Sequence, residues 1–250
     1  MCNRYISPEE GDIERFWKLG PRDKILPTWL PILAPLGPGP YVKAGGELEV
    51  GQWGMIPPRS ATRTPMTKGS AGRKPSRMST NNARIETIDT AWTFRDPWRD
   101  GKRCLIPAWS YVEPYWGIGG KNIWWRFARA DGQPWALAGL WNEWTDPETG
   151  EVVPNYTMIT QNCDDHQLLR LMHKPDPKAD PVKPDKRAVV PIEEADWDAW
   201  LHGTPSQART LITLPTLALF DHGPEEPGKR VALNLETGEG VVVEGEPGLF

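Results

Sequence analysis

Proline and glycine punctuate this sequence. Twenty-seven of the first and 24 of the second are spread over 250 residues, with 14 tryptophans among them. Proline removes a backbone donor and glycine resists ordering inside long helices and strands. The chain is therefore limited to short elements joined by loops, with large aromatic surfaces to bury. Runs rich in β-branched and aromatic residues, bounded by Gly and Pro, mark strands at Arg103–Trp109, Ile123–Ala128, Ala136–Trp141 and Tyr156–Thr160. Pro147-Glu148-Thr149-Gly150 is a turn between two strands and implies an antiparallel hairpin. Helical spacing of Leu168, Leu169 and Met172 predicts a helix over Asp164–Met172, with Asn162 as N-cap. A second helix is expected over Glu193–His202, where Trp197, Trp200 and Leu201 share a face and Gly203 ends it. Thr62–Thr80 and Pro175–Pro184 read as loops. The sequence has no internal repeat and no βαβ alternation. The expected fold is α+β, a single domain with a barrel-like antiparallel β-core and peripheral short helices.

Bulk composition excludes several classes. Hydrophobic residues make up 38% and charged ones 25%, as in a globular protein rather than a disordered one. No apolar run is long enough for a membrane span, and the Met-Cys-Asn-Arg-Tyr-Ile start has no signal-peptide pattern. A cytoplasmic location and no membrane partner are expected. Cys2, Cys104 and Cys163 are far apart, with no Cys/His spacing that suggests zinc; neither a metal nor another cofactor is expected.

Charge is informative only when read locally. The net charge is −4. Yet seven basic residues and no acid lie between Val50 and Ile85: Arg59, Arg63, Lys68, Arg73, Lys74, Arg77 and Arg84. From Asp221 to Phe250 the balance reverses, with seven acids against Lys229 and Arg230. Such polarity suits a protein with one anion-binding face, although a solvated basic loop reads the same way.

Four segments carry candidate chemistry. Removal of Met1 would give Cys2 a free α-amine beside its thiol, two nucleophiles with ordinary pKa values of about 8 and about 8.5. The amine can attack an aldehyde to give a Schiff base, and the thiol can then close a five-membered thiazolidine. An N-terminal cysteine can equally serve as an amidohydrolase nucleophile with its amine as base. Asn81-Asn82-Ala83-Arg84-Ile85-Glu86-Thr87 offers an amide to donate to an oxyanion and a guanidinium for a phosphate, though Asn-Asn also reads as a turn. Glu113, between Val112 and Pro114 after an apolar strand, is a candidate for partial desolvation and proton transfer near neutrality. His173 follows the apolar Leu168–Met172 segment, and His166, His202 and His222 compete with it as proton shuttles.

In order along the chain stand Met-Cys-x-Arg-Tyr, Trp53-Gly54-Met55-Ile56-Pro57, Asn82-Ala83-Arg84-Ile85-Glu86-Thr87, Arg103-Cys104-Leu105-Ile106-Pro107-Ala108 with Glu113 after it, Ala138-Gly139-Leu140-Trp141 and His173. This order resembles the SRAP (SOS-response-associated peptidase) family over roughly residues 2–192. The resemblance implies a DNA-repair protein of the SOS response that senses abasic sites in single-stranded DNA and crosslinks to them covalently. Carried over by motif, Cys2 is the crosslinking nucleophile, Asn82 supports the sugar and thiazolidine, Glu113 moves protons, and His173 assists as acid or base. Arg4 and Arg84 then bind DNA phosphates. The resemblance also implies a peptidase-type self-removal of Met1, a possible lyase activity, and a monomer. The chain departs from the family pattern at Asn3, where glycine is usual, and at Pro58-Arg59, where an aromatic pair is usual. The segment 193–250 is expected to add a C-terminal helix and acidic tail packed on the same domain. Two alternatives stand beside this reading: a cysteine hydrolase using Cys2, and a noncovalent single-stranded nucleic-acid-binding module.

Overall fold

The structure is a computed structural model that describes residues 2–20, 25–69, 72, 74–174, 178, 180 and 182–243. In chain order its strands are β1 (Tyr5–Ile6), β2 (Ile32–Leu33), β3 (Pro38–Lys43), β4 (Glu47–Trp53), β5 (Asn82–Arg84), β6 (Arg103–Ala108) and β7 (Ser110–Ile118). They continue as β8 (Lys121–Arg129), β9 (Trp135–Thr145), β10 (Val152–Asn162), β11 (Arg187–Val189), β12 (Phe220–Pro224), β13 (Arg230–Leu233) and β14 (Gly240–Val243). The helices are short: α1 (Glu10–Trp17), α2 (Arg95–Arg99), α3 (Trp197–His202) and α4 (Pro205–Thr210).

Five strands close into a barrel. β3 pairs antiparallel with β4 and β6, β6 with β9, and β9 with β10. β10 then returns to β4 in parallel, with Tyr156 opposite Trp53, and closes the ring. The barrel-like core is thus as expected, except that two pairings are parallel: β10 with β4 and β10 with β5. A second sheet, β12-β8-β7-β1-β2, packs against the barrel through Cys2, Tyr5, Tyr111, Trp125 and Phe127 on one side and Trp53, Ile106, Leu137 and Tyr156 on the other. The Tyr5 and Tyr156 hydroxyls meet at 2.6 Å across this seam, so the two buried phenols satisfy each other.

The four strands expected from β-branched and aromatic runs are present as β6, β8, β9 and β10. β6 ends one residue early, β8 is longer at both ends, and β9 and β10, at 11 residues each, are about twice as long as their sequence signals. Gly139 shows why the barrel can be so tight. A Cβ there would lie 2.6 Å from Ile106 Cδ1 and 2.9 Å from both Cys104 Sγ and the Thr157 carbonyl oxygen. Any side chain would push β6 and β10 away from β9. Opposite the second sheet, α3 caps the barrel. Trp200 Nε1 donates to the Cys104 carbonyl at 3.0 Å. The buried Arg103 donates to the carbonyls of Trp200 and Gly203, with its guanidinium 5.7 Å and 5.8 Å from the Trp98 and Trp200 rings. An arginine can be buried here because these carbonyls take its Nε and Nη2 donors and the indole faces take its charge.

The expected helix over Glu193–His202 is present as a 3-10 turn followed by α3. The one expected over Asp164–Met172 is not: only Leu169–Leu171 makes a 3-10 turn. Polar side chains claim the backbone first. Asn162 Oδ1 accepts from the Asp164 N–H, His166 Nδ1 from those of Leu168 and Leu169, and Asp164 reaches the Asp185 and Lys186 N–H groups. Leu168, Leu169 and Met172 are buried all the same, so their apolar spacing served the core and not a helix. Among the described residues of Thr62–Thr80 the loop is as read, with one bridge between Met66 and Arg77; residues 70, 71 and 73 lie outside them. Much of the second loop, at 175–177, 179 and 181, lies outside the described residues.

Candidate functional site

The start of the chain enters the seam between sheet and barrel. Tyr5 of β1 pairs with Tyr111 of β7 in antiparallel register, and the Val112 N–H donates to the Arg4 carbonyl at 3.1 Å. This register carries residues 2–4 back along Val112 and Glu113. From the barrel side, β5 lies parallel to β10 and delivers two amides: Asn81 Nδ2 and Asn82 Nδ2 both donate to the Cys2 carbonyl, at 2.9 Å and 2.8 Å. Asn81 also reaches Asn3 Oδ1 at 3.1 Å, and its own Oδ1 accepts from Ser79 Oγ. Cys2 is thus fixed by its main chain, with its side chain fully buried. Met1 lies outside the described residues.

Glu113 is 3% exposed. Burial disfavours its charged form and pushes the carboxyl up to about 7. Burial also drives the thiol of Cys2 far above the ordinary range, with the charge of Glu113 adding to the effect. His173 Nε2 stands 3.5 Å from Glu113 Oε2. Its imidazole is driven down to about 3, mainly by burial, with Lys186 contributing. At neutral pH a proton shared by this pair therefore resides on the carboxyl.

The backbone pays attention to His173. It has φ 65°, in the left-handed region that a non-glycine residue adopts only where its surroundings hold it. Its N–H donates to the Pro114 carbonyl at 2.6 Å, and Lys186 Nζ donates to the carbonyls of Met172 and His173 at 2.8 Å and 2.9 Å. The main chain of His173 is thereby held against the residue that follows Glu113, and its Nε2 lies 3.3 Å from the Arg187 carbonyl. The other histidines are occupied elsewhere. His166 contacts the Pro215 carbonyl, His222 accepts from Trp125 Nε1, and His202 is exposed on α3.

Cys2, Asn82, Glu113 and His173 thus converge, and the two expected phosphate ligands flank them. Arg4 pairs with Glu225 and lies 4.8 Å from the Trp124 ring centroid. Arg84 pairs with Asp185 at 2.8 Å and remains 46% exposed. Asp185 is shared with the buried Arg187, which also pairs with Glu86. Three residues to which the sequence assigned no role of their own join the site. Asn81 doubles the amide clamp, where the Asn-Asn segment offered one amide donor or a turn. Lys186 orders the His173 turn. Cys163, buried and pushed up to about 12 by burial, then Asp164 and Glu113, lies within the electrostatic reach of Glu113. Neither Lys186 nor Cys163 carries a signal in local sequence. Among the described residues, no three His, Cys, Asp or Glu side chains are arranged to hold a metal ion, and no helix is long and apolar enough to cross a membrane.

This geometry has relatives. The family model of the SOS response associated peptidase (SRAP) matches residues 1–221. A solved structure of a protein from Bordetella bronchiseptica is 28% identical, with a TM-score of 0.74 over 90% of this chain and 100% of that one. A protein from Bacteroides thetaiotaomicron is 18% identical, with a TM-score of 0.68 over 90% and 93%. A phage-related protein from Bordetella bronchiseptica is 16% identical, with a TM-score of 0.59 over 91% and 95%. The last two show likeness of fold alone. No curated protein matches the chain.

Proposed function

The chain belongs to the SOS response associated peptidase family, and we propose that it is an abasic-site sensor that crosslinks to single-stranded DNA through Cys2. The observation that supports this most is a single arrangement. Two amides clamp the carbonyl of Cys2 beside a buried carboxyl poised at about 7 and its histidine partner.

The chemistry follows from these groups. Once Met1 is gone, the Cys2 amine adds to the aldehyde carbon of the opened abasic sugar, and loss of water gives a protonated Schiff base. The thiol then adds to the same carbon. Its S–H proton leaves to a base, the carbon–nitrogen double bond becomes single, and a neutral thiazolidine results. Every stage moves protons, and a carboxyl that is half protonated near neutrality can both donate and accept them. Asn82 and Asn81 hold the Cys2 main chain, so amine and thiol approach from one fixed direction. Removal of Met1 and reversal of the crosslink, a lyase-type step, draw on the same acid and base.

We also take 2–192 as the unit that carries the chemistry and 193–250 as a segment packed on it, in a monomeric, cytoplasmic protein. Mature protein mixed with single-stranded DNA bearing an abasic site should give a covalent band on a denaturing gel. No band with that DNA, under conditions where undamaged DNA binds, rejects the reading in favour of a noncovalent module.

Binding should also depend steeply on salt, since each neutralised phosphate releases most of one counterion. Arg84→Glu is expected to weaken single-stranded DNA binding and lower the salt slope by about one. Arg230→Glu, on the β13–β14 hairpin among the acidic residues, is expected to change little. Equal losses at both positions in a salt titration would show that the Arg84 surface is not the DNA face.

A further inference from the structure

We propose that Trp124 and Arg4 form a subsite for one nucleotide of single-stranded DNA, with the base on the indole and the phosphate on the guanidinium, and that Glu225 occupies the phosphate position in the free protein. The inference rests on the reading of the site as one that takes single-stranded DNA. It adds to that reading the residue that stacks and the group that must leave.

The placement comes from strand alternation. Successive side chains of β8 point to opposite faces of the sheet. Trp125 faces the core, 1% exposed, with its ring 5.1 Å from Tyr115. Trp124 therefore faces out, and it is 42% exposed. Its register partner on β7 is Pro114, directly after Glu113. An outward indole thus stands one residue along the strand from the proposed acid, on the opposite face of the sheet. Trp92, also exposed, lines a different cavity beneath residues 57–68.

Arg4 supplies the second half. Its guanidinium carbon lies 4.8 Å from the Trp124 ring centroid, and Nη2 donates to Glu225. Its Nε is buried with no hydrogen-bond partner among the described residues. The carboxylate therefore meets one arm of the fork and leaves a second donor unused. A phosphate diester offers two non-bridging oxygens and can accept from Nε and Nη2 together. Glu225 is held in place by its backbone, whose N–H donates to the Trp124 carbonyl at 2.8 Å. Its side chain can swing away without breaking that bond when a phosphate arrives.

A cavity of about 300 Å³ adjoins Trp124 and Glu225, with Asn122, Ile123, Pro227 and Lys229 among its other lining residues. That is the small end of ligand pockets, suited to one planar ring system. The neighbouring carboxylate of Glu226 is neutralised by Lys229 at 2.9 Å, which leaves the Glu225 carboxylate as the charge that a phosphate must displace.

The test uses undamaged oligothymidine and the full chain, with fluorescence anisotropy as readout and each variant's thermal midpoint as a check of folding. Loss of a stacked base by alanine substitution corresponds to about a 5- to 150-fold loss of affinity. Trp124→Ala is expected in that range, while Trp124→Phe keeps most of the affinity because any aromatic face can stack. Glu225→Gln, a near-isosteric change at a part-exposed side chain, is expected to tighten binding severalfold, and it carries the test if Trp124→Ala does not fold. The subsite is overturned if wild type does not bind oligothymidine, if folded Trp124→Ala binds as wild type does, or if Glu225→Gln binds no tighter. Abasic-site crosslinking by wild type is run alongside. Absent crosslinking with these affinity changes intact would reject the proposed chemistry and leave the subsite standing; crosslinking without them would do the reverse.

Discussion

Cys2→Ala is expected to give no covalent band with abasic single-stranded DNA under conditions where wild type gives one. The expectation does not rest on thiolate reactivity. Burial, with Glu113 nearby, holds the Cys2 thiol protonated across the neutral range, so it is not a standing thiolate nucleophile of the kind a cysteine peptidase uses. The amine of the mature N-terminus, ordinarily near pKa 8, attacks first, and the thiol adds only to the Schiff base that results. Cys2→Ala keeps an amine and loses the group that closes the ring. Any adduct it forms is a hydrolysable Schiff base. Cys104 and Cys163 cannot replace Cys2, because neither has an amine two carbons from its sulfur. Cys2→Ser should likewise fail to give a stable band, yet borohydride should trap its Schiff base. The intact mass of wild type should lack Met1, since an acylated nitrogen cannot form the imine. A band of undiminished strength with Cys2→Ala, or a wild-type band from protein that retains Met1, would rule out the thiazolidine.

This division between amine and thiol is the part of the site that the sequence makes plain, because it needs only a residue's position. The barrel strands are nearly as plain. Leu105 and Ile106, Leu137 and Leu140, and Tyr156 and Ile159 are apolar residues in short runs cut by Pro and Gly, and such runs have little choice but to pair. Closure was less visible. Nothing in Glu47–Trp53 or Val152–Asn162 announces that β4 and β10 meet in parallel, since that pairing is set by where the intervening strands leave their ends. The Asp164–Met172 segment misled for a local reason: its helical spacing is genuine, but His166 takes the Leu168 and Leu169 N–H groups that a helix would need, and Asp164 is tied to the backbone of Asp185 and Lys186. Convergence of Cys2, Asn82, Glu113 and His173 could not be read from spacing at all. Cys2 and Asn82 are 80 residues apart and meet only because β1 and β5 belong to different sheets that share a seam. Family motifs pointed to the four residues; the seam supplies the physical reason. Asn81, Lys186 and Trp124 were hidden because each acts through a neighbour in space: a carbonyl, a strained turn and an arginine.

Glu113→Gln is expected to slow crosslink formation, and still more its reversal, by about 10²–10⁴-fold, the usual effect of removing a positioned acid or base. The abasic sugar exists mostly as a closed hemiacetal, so a proton must move before the aldehyde is available, and another must be delivered to reopen the thiazolidine. Glutamine keeps the shape of the side chain and can still hydrogen-bond, but it cannot exchange a proton near neutrality. Cys2 keeps its amine, its thiol and its asparagine clamp, so the crosslink should form through the same atoms. The wild-type rate should show an inflection near pH 7, from the carboxyl that burial has raised to about 7, and the variant should lose it. Stability separates this from a folding defect. A carboxyl with a raised folded-state pKa binds its proton more tightly in the native than in the unfolded chain. Its contribution is fully present below about pH 4.5 and is lost as pH rises through about 7, at up to about 1.4 kcal/mol per pH unit. His173, driven down to about 3, works in the opposite sense, stabilising above its ordinary pKa of 6.5 and losing that contribution as pH falls towards 3. In wild type the two slopes offset each other between about pH 4.5 and 6.5. Glu113→Gln removes one, so its thermal midpoint should rise with pH through that window more steeply than wild type, and above pH 7 it should be at least as stable. A time course of formation, followed by release into excess competitor DNA, measures the chemistry. Rates equal to wild type, together with an unchanged pH profile of stability, would make Glu113 a strand-end carboxylate and leave the proton transfers to water.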